Sequence, residues 1–390
     1  MIRSPRLGLT LMLGSAQTLG WASSYYLPAI LAVPMARDLG MPPSWVFAAF
    51  SAALLLTAML GPSVGRWIDI RGGRGVLMAS NGVMALGLII MALSQGVFTL
   101  MLAWLITGIG MAMGLYDAAF ATLGRLLGRS ARASITGVTL LAGFASTIGW
   151  PVTALLENEF GWRAACVVWA MLHIVIGLPL NALLPKAGAS QAEHKDEKPV
   201  PPPDRPRLAM VLLAFVFAAG WFVSTAMAAH LPRLLQETGV SLSVAVAAAA
   251  LVGPAQVAAR LGEFALLRHL HPLVAARVAT TLHPLGAALL ATVGMPAAGF
   301  ALLHGAGNGM MTIASGTLPL ALFGPAGFGR RQGLIIAPAR AMQAFAPLLF
   351  GLLIEQHGAG ALWFFEAAPE FLTLAIASTF EGCITKVSGV

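Results

Sequence analysis

A small set of ionisable and aromatic side chains stands inside long apolar runs, and their types limit the chemistry open to them. Asp117, in Gly114-Leu115-Tyr116-Asp117, is one of few carboxylates well inside such a run. Charge there is expensive and by default functional. Asp117 could carry a proton, or it could form a structural pair with Arg125, about two helical turns away. Gln256, Arg260 and Glu263 follow spacings of four and three, which put them on one helix face. Arg260 stays charged at any physiological pH, and its planar fork matches a carboxylate. Within the chain, Glu263 is its natural intrahelical partner. His304, Asn308, Thr312 and Ser315 lie at i, i+4, i+8 and i+11. Trp21 stands with Gln17 and Ser24, and Tyr25 and Tyr26 follow it; Trp221 stands with Ser224 and Thr225; Tyr116 precedes Asp117. In lipid these side chains must face protein or water. They either hydrogen-bond between helices or line a cavity.

The elements that position them follow from composition. The chain has 390 residues, 58% hydrophobic and only 10% charged, where a soluble domain carries about 25% charged. Mean hydropathy is +0.83. This is the composition of an integral membrane protein. The net charge of +8 does not imply a nucleic-acid partner, because its positive residues recur in short loops instead of forming one patch. Cys166 and Cys383 lie far apart, with no Cys-x-x-Cys or Cys/His neighbourhood, so neither a disulfide framework nor a metal site is expected. No Gly-x-x-x-x-Gly-Lys-Ser/Thr loop occurs, so ATP is not the direct energy source and no cofactor is expected.

About 20 apolar residues span a bilayer core. Such stretches occur near 8–34, 44–64, 75–94, 97–123, 134–156 and 163–184, then near 208–230, 243–267, 273–294, 297–322, 334–354 and 361–379. The reading is an all-α membrane protein of twelve transmembrane helices: a half over 1–184, a proline-rich linker over 185–207, and a half over 208–390. The apolar run that begins after Arg6 is read as the first span and not as a removed signal peptide. The last span, with Glu366, Pro369 and Glu370, fits worst. Arg260 and Arg340 fall inside spans. Of the remaining Lys and Arg, only Arg37, Arg163 and Arg233 lie opposite the side that carries all the others. The positive-inside rule therefore puts both termini and the linker in the cytoplasm. The halves also repeat. Leu105-Ile106-Thr107-Gly108-Ile109-Gly110 matches Leu302-Leu303-His304-Gly305-Ala306-Gly307, and Gly20-Trp21 with Ser24 matches Gly220-Trp221 with Ser224. Duplicated six-helix halves are common among secondary transporters.

Between spans 2 and 3 stands Gly61-Pro62-Ser63-Val64-Gly65-Arg66-Trp67-Ile68-Asp69-Ile70-Arg71-Gly72-Gly73-Arg74. It resembles the loop motif of the major facilitator superfamily. Gly65, Asp69, Gly72 and Arg74 fall on the pattern, the next basic residue is displaced to Arg71, and Gly75 replaces a final basic residue. The resemblance covers nearly the whole chain and implies two pseudo-symmetric halves working by alternating access. It also implies a cytoplasmic gate at Gly65, Asp69, Arg71, Gly72 and Arg74. There Asp69 would face the positive N-terminal end of span 11, beginning near Leu334. By the same resemblance spans 1, 4, 7 and 10 line the cavity, which makes Trp21, Tyr25, Tyr116, Trp221, His304 and Asn308 substrate-binding candidates.

Gln256 to Arg260 is similar to the Asp-x-x-x-Arg of monocarboxylate porters, whose Arg engages the substrate carboxylate; here Gln256 replaces the Asp. Asp117 or Glu263 would then carry the proton. Trp104 stands where proton-driven exporters often carry an Arg, and the exporter motif of span 5 is represented only by Gly143, Gly149 and Pro151. The first expectation is therefore a proton-coupled carrier of small organic anions, monomeric, in the cytoplasmic (inner) membrane. Export of a drug, toxic compound or metalloid is the alternative. A membrane-embedded transferase would need clustered carboxylates, and Glu193, Asp196, Glu197 and Asp204 lie together only in the linker, where they solvate it.

Overall fold

The computed structural model describes residues 5–186, 203, 205–267, 271–294 and 296–360. Every regular element among them is helical, as backbone groups without water partners require. In chain order these are α1 (Pro5–Ala22), α2 (Pro28–Asp38), α3 (Pro43–Arg71), α4 (Gly73–Ala92), α5 (Val97–Gly114), α6 (Tyr116–Leu127), α7 (Ala131–Ala142), α8 (Ala145–Leu172) and α9 (Leu178–Ala182). There follow α10 (Pro206–Glu237), α11 (Leu242–Ala250), α12 (Val252–Gly262), α13 (Pro272–Val293), α14 (Ala297–Phe323) and α15 (Phe328–His357). Six helical stretches among the described residues are by length and composition apolar enough to cross a membrane.

Eleven of the twelve expected spans fall on these helices; the twelfth, 361–379, and most of the linker lie outside the described residues. Several spans are broken. Span 1 is α1 and α2 with an irregular Ser23–Leu27 between them, and span 4 is α5 and α6 parted by an extended Leu115. Span 5 is α7 and the first part of α8. Gly161, at φ +82°, separates it from span 6 inside α8, a backbone conformation that favours glycine. Span 6 then passes through a π turn, His173–Gly177, into α9.

The chain divides into two compact units, Met1–Lys198 with Pro325–Ala337, and Pro199–Gly324 with Pro338–Val390. In the first, α4 packs on α5 and α8, α3 on α5, and α1 on α7. Leu31, Met35, Leu88, Trp104 and Trp162 are buried in its core. In the second, α14 packs on α12 and α13, around Phe222, Leu234, Phe300 and Phe350. The repeated glycines have repeated surroundings. A Cβ on Gly108 would come within 2.7 Å of the Ala53 carbonyl, and one on Gly305 within 2.5 Å of the Val252 carbonyl. Two residues on, Gly110 abuts Met84 and Gly307 abuts His283. In each half the first glycine lets the second span of that half approach, and the second glycine admits the third.

At the end of α2, the Asp38 carboxylate accepts from the Arg163 guanidinium and from Trp162 Nε1 at 3.3 Å. Arg163 also donates to the Ser94 carbonyl at 3.0 Å and lies over the Trp162 ring. The hydrogen bond from Arg163 holds the Asp38 carboxyl below its ordinary range. A depressed folded pKa contributes stability above the unfolded value, about 3.9, and that stability is lost as pH falls through the folded value. Asp38→Asn is therefore expected to melt below the wild type at pH 7, with the difference closing toward pH 3. A gap unchanged over that range would contradict the assignment.

Candidate functional site

The loop between α3 and α4 is the best-defined polar contact in the first unit. Asp69, in the last turn of α3, accepts at Oδ1 from the Gly329 N–H and at Oδ2 from the Arg330 N–H, both at 2.8 Å. These donors belong to the first turn of α15, where no intrahelical acceptor exists and the dipole favours an anion. The helix begins at Phe328, six residues before the expected start of span 11. Glycines make the approach possible. A Cβ on Gly65 would stand 1.9 Å from the Gly329 carbonyl oxygen, and one on Gly333 2.6 Å from the Gly61 carbonyl. Gly72, at φ +85°, ends α3 and turns the chain into α4. Arg71 is exposed and lies over Trp67, while Arg74 is half-buried in the first turn of α4.

The first unit also gathers aromatic rings at the breaks in spans 1 and 4. Trp21 lies 5.1 Å from Tyr25, 6.4 Å from Tyr26 and 4.8 Å from Tyr116, by ring centroids. Phe50 joins Tyr25 to Trp104, and Phe120 stacks on Tyr116. Gln17 donates to the Gly114 carbonyl at 2.6 Å, satisfying a backbone group beside the break at Leu115. Ser24 bonds back to Gly20 in the same way at 2.6 Å. Asp117 is in the first turn of α6 and half-buried. It thus occupies a helix N-terminus created by the break, a position that itself favours a carboxylate. Arg125 donates to the Ile70 carbonyl, which ties the end of α6 to the end of α3.

In the second unit two arginines are almost fully enclosed, Arg260 at 5% and Arg340 at 4% exposure. Arg260 reaches from α12 onto α14, with Nε toward the Gly309 carbonyl and Nη2 toward Thr312 Oγ1, both at 3.4 Å. The crossing is close because a Cβ on Gly309 would sit 2.5 Å from the Gln256 carbonyl. Gln256 is half-buried, and Glu263 is buried at the start of a π turn, Glu263–Leu267, that continues α12. Arg340 donates from Nη1 to Gln343 Oε1 at 3.0 Å and lies 5.5 Å from the Trp221 ring, within cation–π range. Gln343 in turn donates to Thr225 Oγ1 at 3.2 Å, and Thr225 to the Trp221 carbonyl at 2.9 Å. Trp221 is half-buried.

The polar series on α14 does not share one surface. His304 meets His283 of α13, Nδ1 to Nδ1 at 3.1 Å, while Thr312 meets Arg260 of α12. Steps of four residues at 3.6 per turn drift by about 40° each, so eight residues carry the series from one neighbour to the other. Asn308 lies between them and is half-buried. His283 and His173 were not among the residues singled out from sequence, and Arg340 stood out there only as a charge inside a span; each is an ionisable side chain inside an apolar run, and that alone was the available signal.

Helices long and apolar enough to cross a membrane, in two units with repeated glycine crossings and polar side chains held inside them, define a polytopic membrane protein. A family model described as Major Facilitator Superfamily matches residues 13–302, and the chain belongs to that superfamily. It is thus a membrane transporter and not an enzyme. It is 26% identical over 357 residues to an uncharacterized 38 kDa protein in the 23S RNA operon of Thermoproteus tenax, covering 90% of each chain. Its fold is similar to that of the human organic anion transporter MFSD10 (TETRAN), with TM-score 0.73, 16% identity, and coverage of 96% of this chain and 100% of that one. It is also similar to the proton:xylose symporter XylE, with TM-score 0.71, 13% identity, and coverage of 98% and 95%. For FucP in the outward conformation the TM-score is 0.72, at 13% identity and coverage of 95% and 98%.

Proposed function

We propose that this transporter is a proton-coupled carrier of small organic anions that works by alternating access, its two six-helix halves rearranging about a central site. The observation that carries the substrate class is the burial of two permanently charged guanidinium groups, Arg260 and Arg340, in the second unit. Such charge inside a membrane protein is costly and by default functional, and an anionic substrate is the role that suits two guanidinium groups. Gln256, one helical turn before Arg260, and Asn308, next to the Gly309 that Arg260 reaches, are the candidates beside that guanidinium; His304 is a candidate on the α13 side of α14, and Trp221 offers Arg340 an apolar wall. Trp21, Tyr25 and Tyr116 are the corresponding candidates in the first unit, and Asp117 and Glu263 the candidate proton carriers. The name of the human structural neighbour, an organic anion transporter, agrees with this reading.

Gly65, Asp69, Arg71, Gly72 and Arg74 form the cytoplasmic gate in this proposal. Closing makes two charge-assisted bonds between Asp69 and the start of α15, and opening breaks them. The termini and the linker face the cytoplasm, and the chain acts as a monomer in the inner membrane. Uptake of labelled lactate, pyruvate and benzoate into proteoliposomes, with and without a protonophore, tests the proposal. Arg260→Ala is expected to lower carboxylate uptake at least tenfold. Undiminished uptake in that variant, or no carboxylate uptake by the wild type, would sink the anion reading.

A further inference from the structure

His173, in the first unit, sits in a hydrogen-bond arrangement with two self-consistent protonation states. It is the first residue of the π turn in span 6 and is 2% exposed. Asn81, ninth of the 20 residues of α4, faces it with Oδ1 2.9 Å from His173 Nδ1. The orientation of this amide is fixed, because Asn81 Nδ2 donates to the Leu77 carbonyl at 2.8 Å. Asn181 Nδ2 donates to the same carbonyl at 3.2 Å. An amide oxygen only accepts, so His173 Nδ1 must carry a proton. The variable position is Nε2, 2.7 Å from Ser23 Oγ at the break in span 1. Ser23 Oγ is also 2.7 Å from the Leu19 carbonyl.

A serine has one hydroxyl proton to donate. With a neutral imidazole, Ser23 O–H donates to His173 Nε2. With one proton added from water, Nε2–H donates to Ser23 Oγ, and the serine O–H turns to the Leu19 carbonyl. Each state leaves the ring fully bonded, and they differ by one proton and one hydroxyl rotation. We infer that His173 is a proton-binding site of this carrier, coupled through Ser23 to the break in span 1. Its place in the transport cycle rests on the proton-coupled reading above.

The groups around it leave the added charge to this arrangement. The π turn packs against α1, α4, α8 and α9. Their charged residues are Arg6 on α1, Arg74 on α4, and Glu157, Glu159 and Arg163 on α8, while α9 carries none. Arg163, the nearest of these along its own element, is ten residues away, about 15 Å of helix. Cys166, also on α8, is buried two turns from His173. Tyr25 and Tyr26, just beyond Ser23, face Trp21. An imidazolium enclosed by neutral groups is costly, so entry of the proton and loosening of the break are expected to go together.

The test is nitrogen-15 NMR of the full chain labelled at histidine, in lipid nanodiscs from pH 3 to 8. One imidazole is expected to gain a proton in that range and to vanish from the spectrum of His173→Gln. Asn81→Asp puts a carboxylate against the ring and should move its midpoint up by at least one pH unit. No protonating signal that Asn81→Asp displaces would overturn the inference, whatever His173→Gln does to folding. In proteoliposomes, His173→Gln should keep lactate counterflow within twofold of wild type and lose at least tenfold of accumulation driven by a proton gradient. Unchanged gradient-driven accumulation would overturn the coupling. A titrating His173 in a protein that moves no carboxylate would instead fault the substrate reading and leave the proton site standing.

Discussion

Gly65→Ala is expected to reduce transport at least tenfold and to lower the melting temperature, whereas Gly75→Ala leaves both near wild type. A single added carbon at position 65 would stand 1.9 Å from the Gly329 carbonyl oxygen and 2.4 Å from its carbon. Backbone cannot swing aside like a flexible side chain, so α3 and α15 must separate by an ångström or more. Overpacking of this kind costs about 1–3 kcal/mol. The separation also stretches the two 2.8 Å bonds from Asp69 to Gly329 and Arg330. Bonds to a charged group are worth about 1.5–3 kcal/mol each, so the second loss matches or exceeds the first. At Gly75 nothing lies within 4 Å of the added carbon, and alanine favours an exposed helix by roughly 1 kcal/mol. Uptake and thermal melting of the two purified variants decide the matter. Wild-type behaviour of Gly65→Ala would remove the α3–α15 contact from the gate.

The second large effect is expected at Arg340. Arg340→Gln should cut carboxylate uptake about a hundredfold, which corresponds to about 2.7 kcal/mol. That is the worth of one lost charged hydrogen-bond pair to a carboxylate. Lysine is not a sufficient replacement: it keeps the charge but loses the planar fork and the stacking on Trp221. Arg340→Lys should therefore fall between glutamine and wild type. Folding is expected to survive both changes, because Gln343 keeps its bond to Thr225. A variant that melts normally but does not transport would tie Arg340 to the substrate. Normal uptake by Arg340→Gln would leave Arg260 as the anion site in this unit.

The contrast between these two regions marks what the sequence can reveal. The Asp69 loop was legible because its glycine and aspartate spacing has no topological cause, so it asked for a tight approach and a dipole. Its partner was misplaced by six residues. Gly329-Arg330-Arg331-Gln332-Gly333 is polar, and a search for apolar runs starts the helix only after it. The breaks at Ser23 and Leu115 had no such mark. Neither residue is a proline or glycine, and side chains from elsewhere in sequence, such as Gln17, satisfy the freed backbone groups. Residues on α14 were grouped by a four-residue spacing that drifts around the helix, so His304 and Thr312 meet different neighbours. His173 needed Asn81 and Ser23, 92 and 150 residues away, before its isolated position acquired a meaning.

The aromatic cluster around Trp21 gives the protein an internal optical gauge. The chain has only three tyrosines, and all of them stand within 6.4 Å of the Trp21 ring. At that range excitation absorbed by a phenol passes to the indole before it can be emitted. The intact protein should thus fluoresce as tryptophan alone, although it absorbs through both. A tyrosine band would emerge only when Ser23–Leu27 swings away from Trp21 or the turn at Leu115 opens. Ultraviolet emission, with no added dye and no engineered label, would then follow the motion of these two breaks.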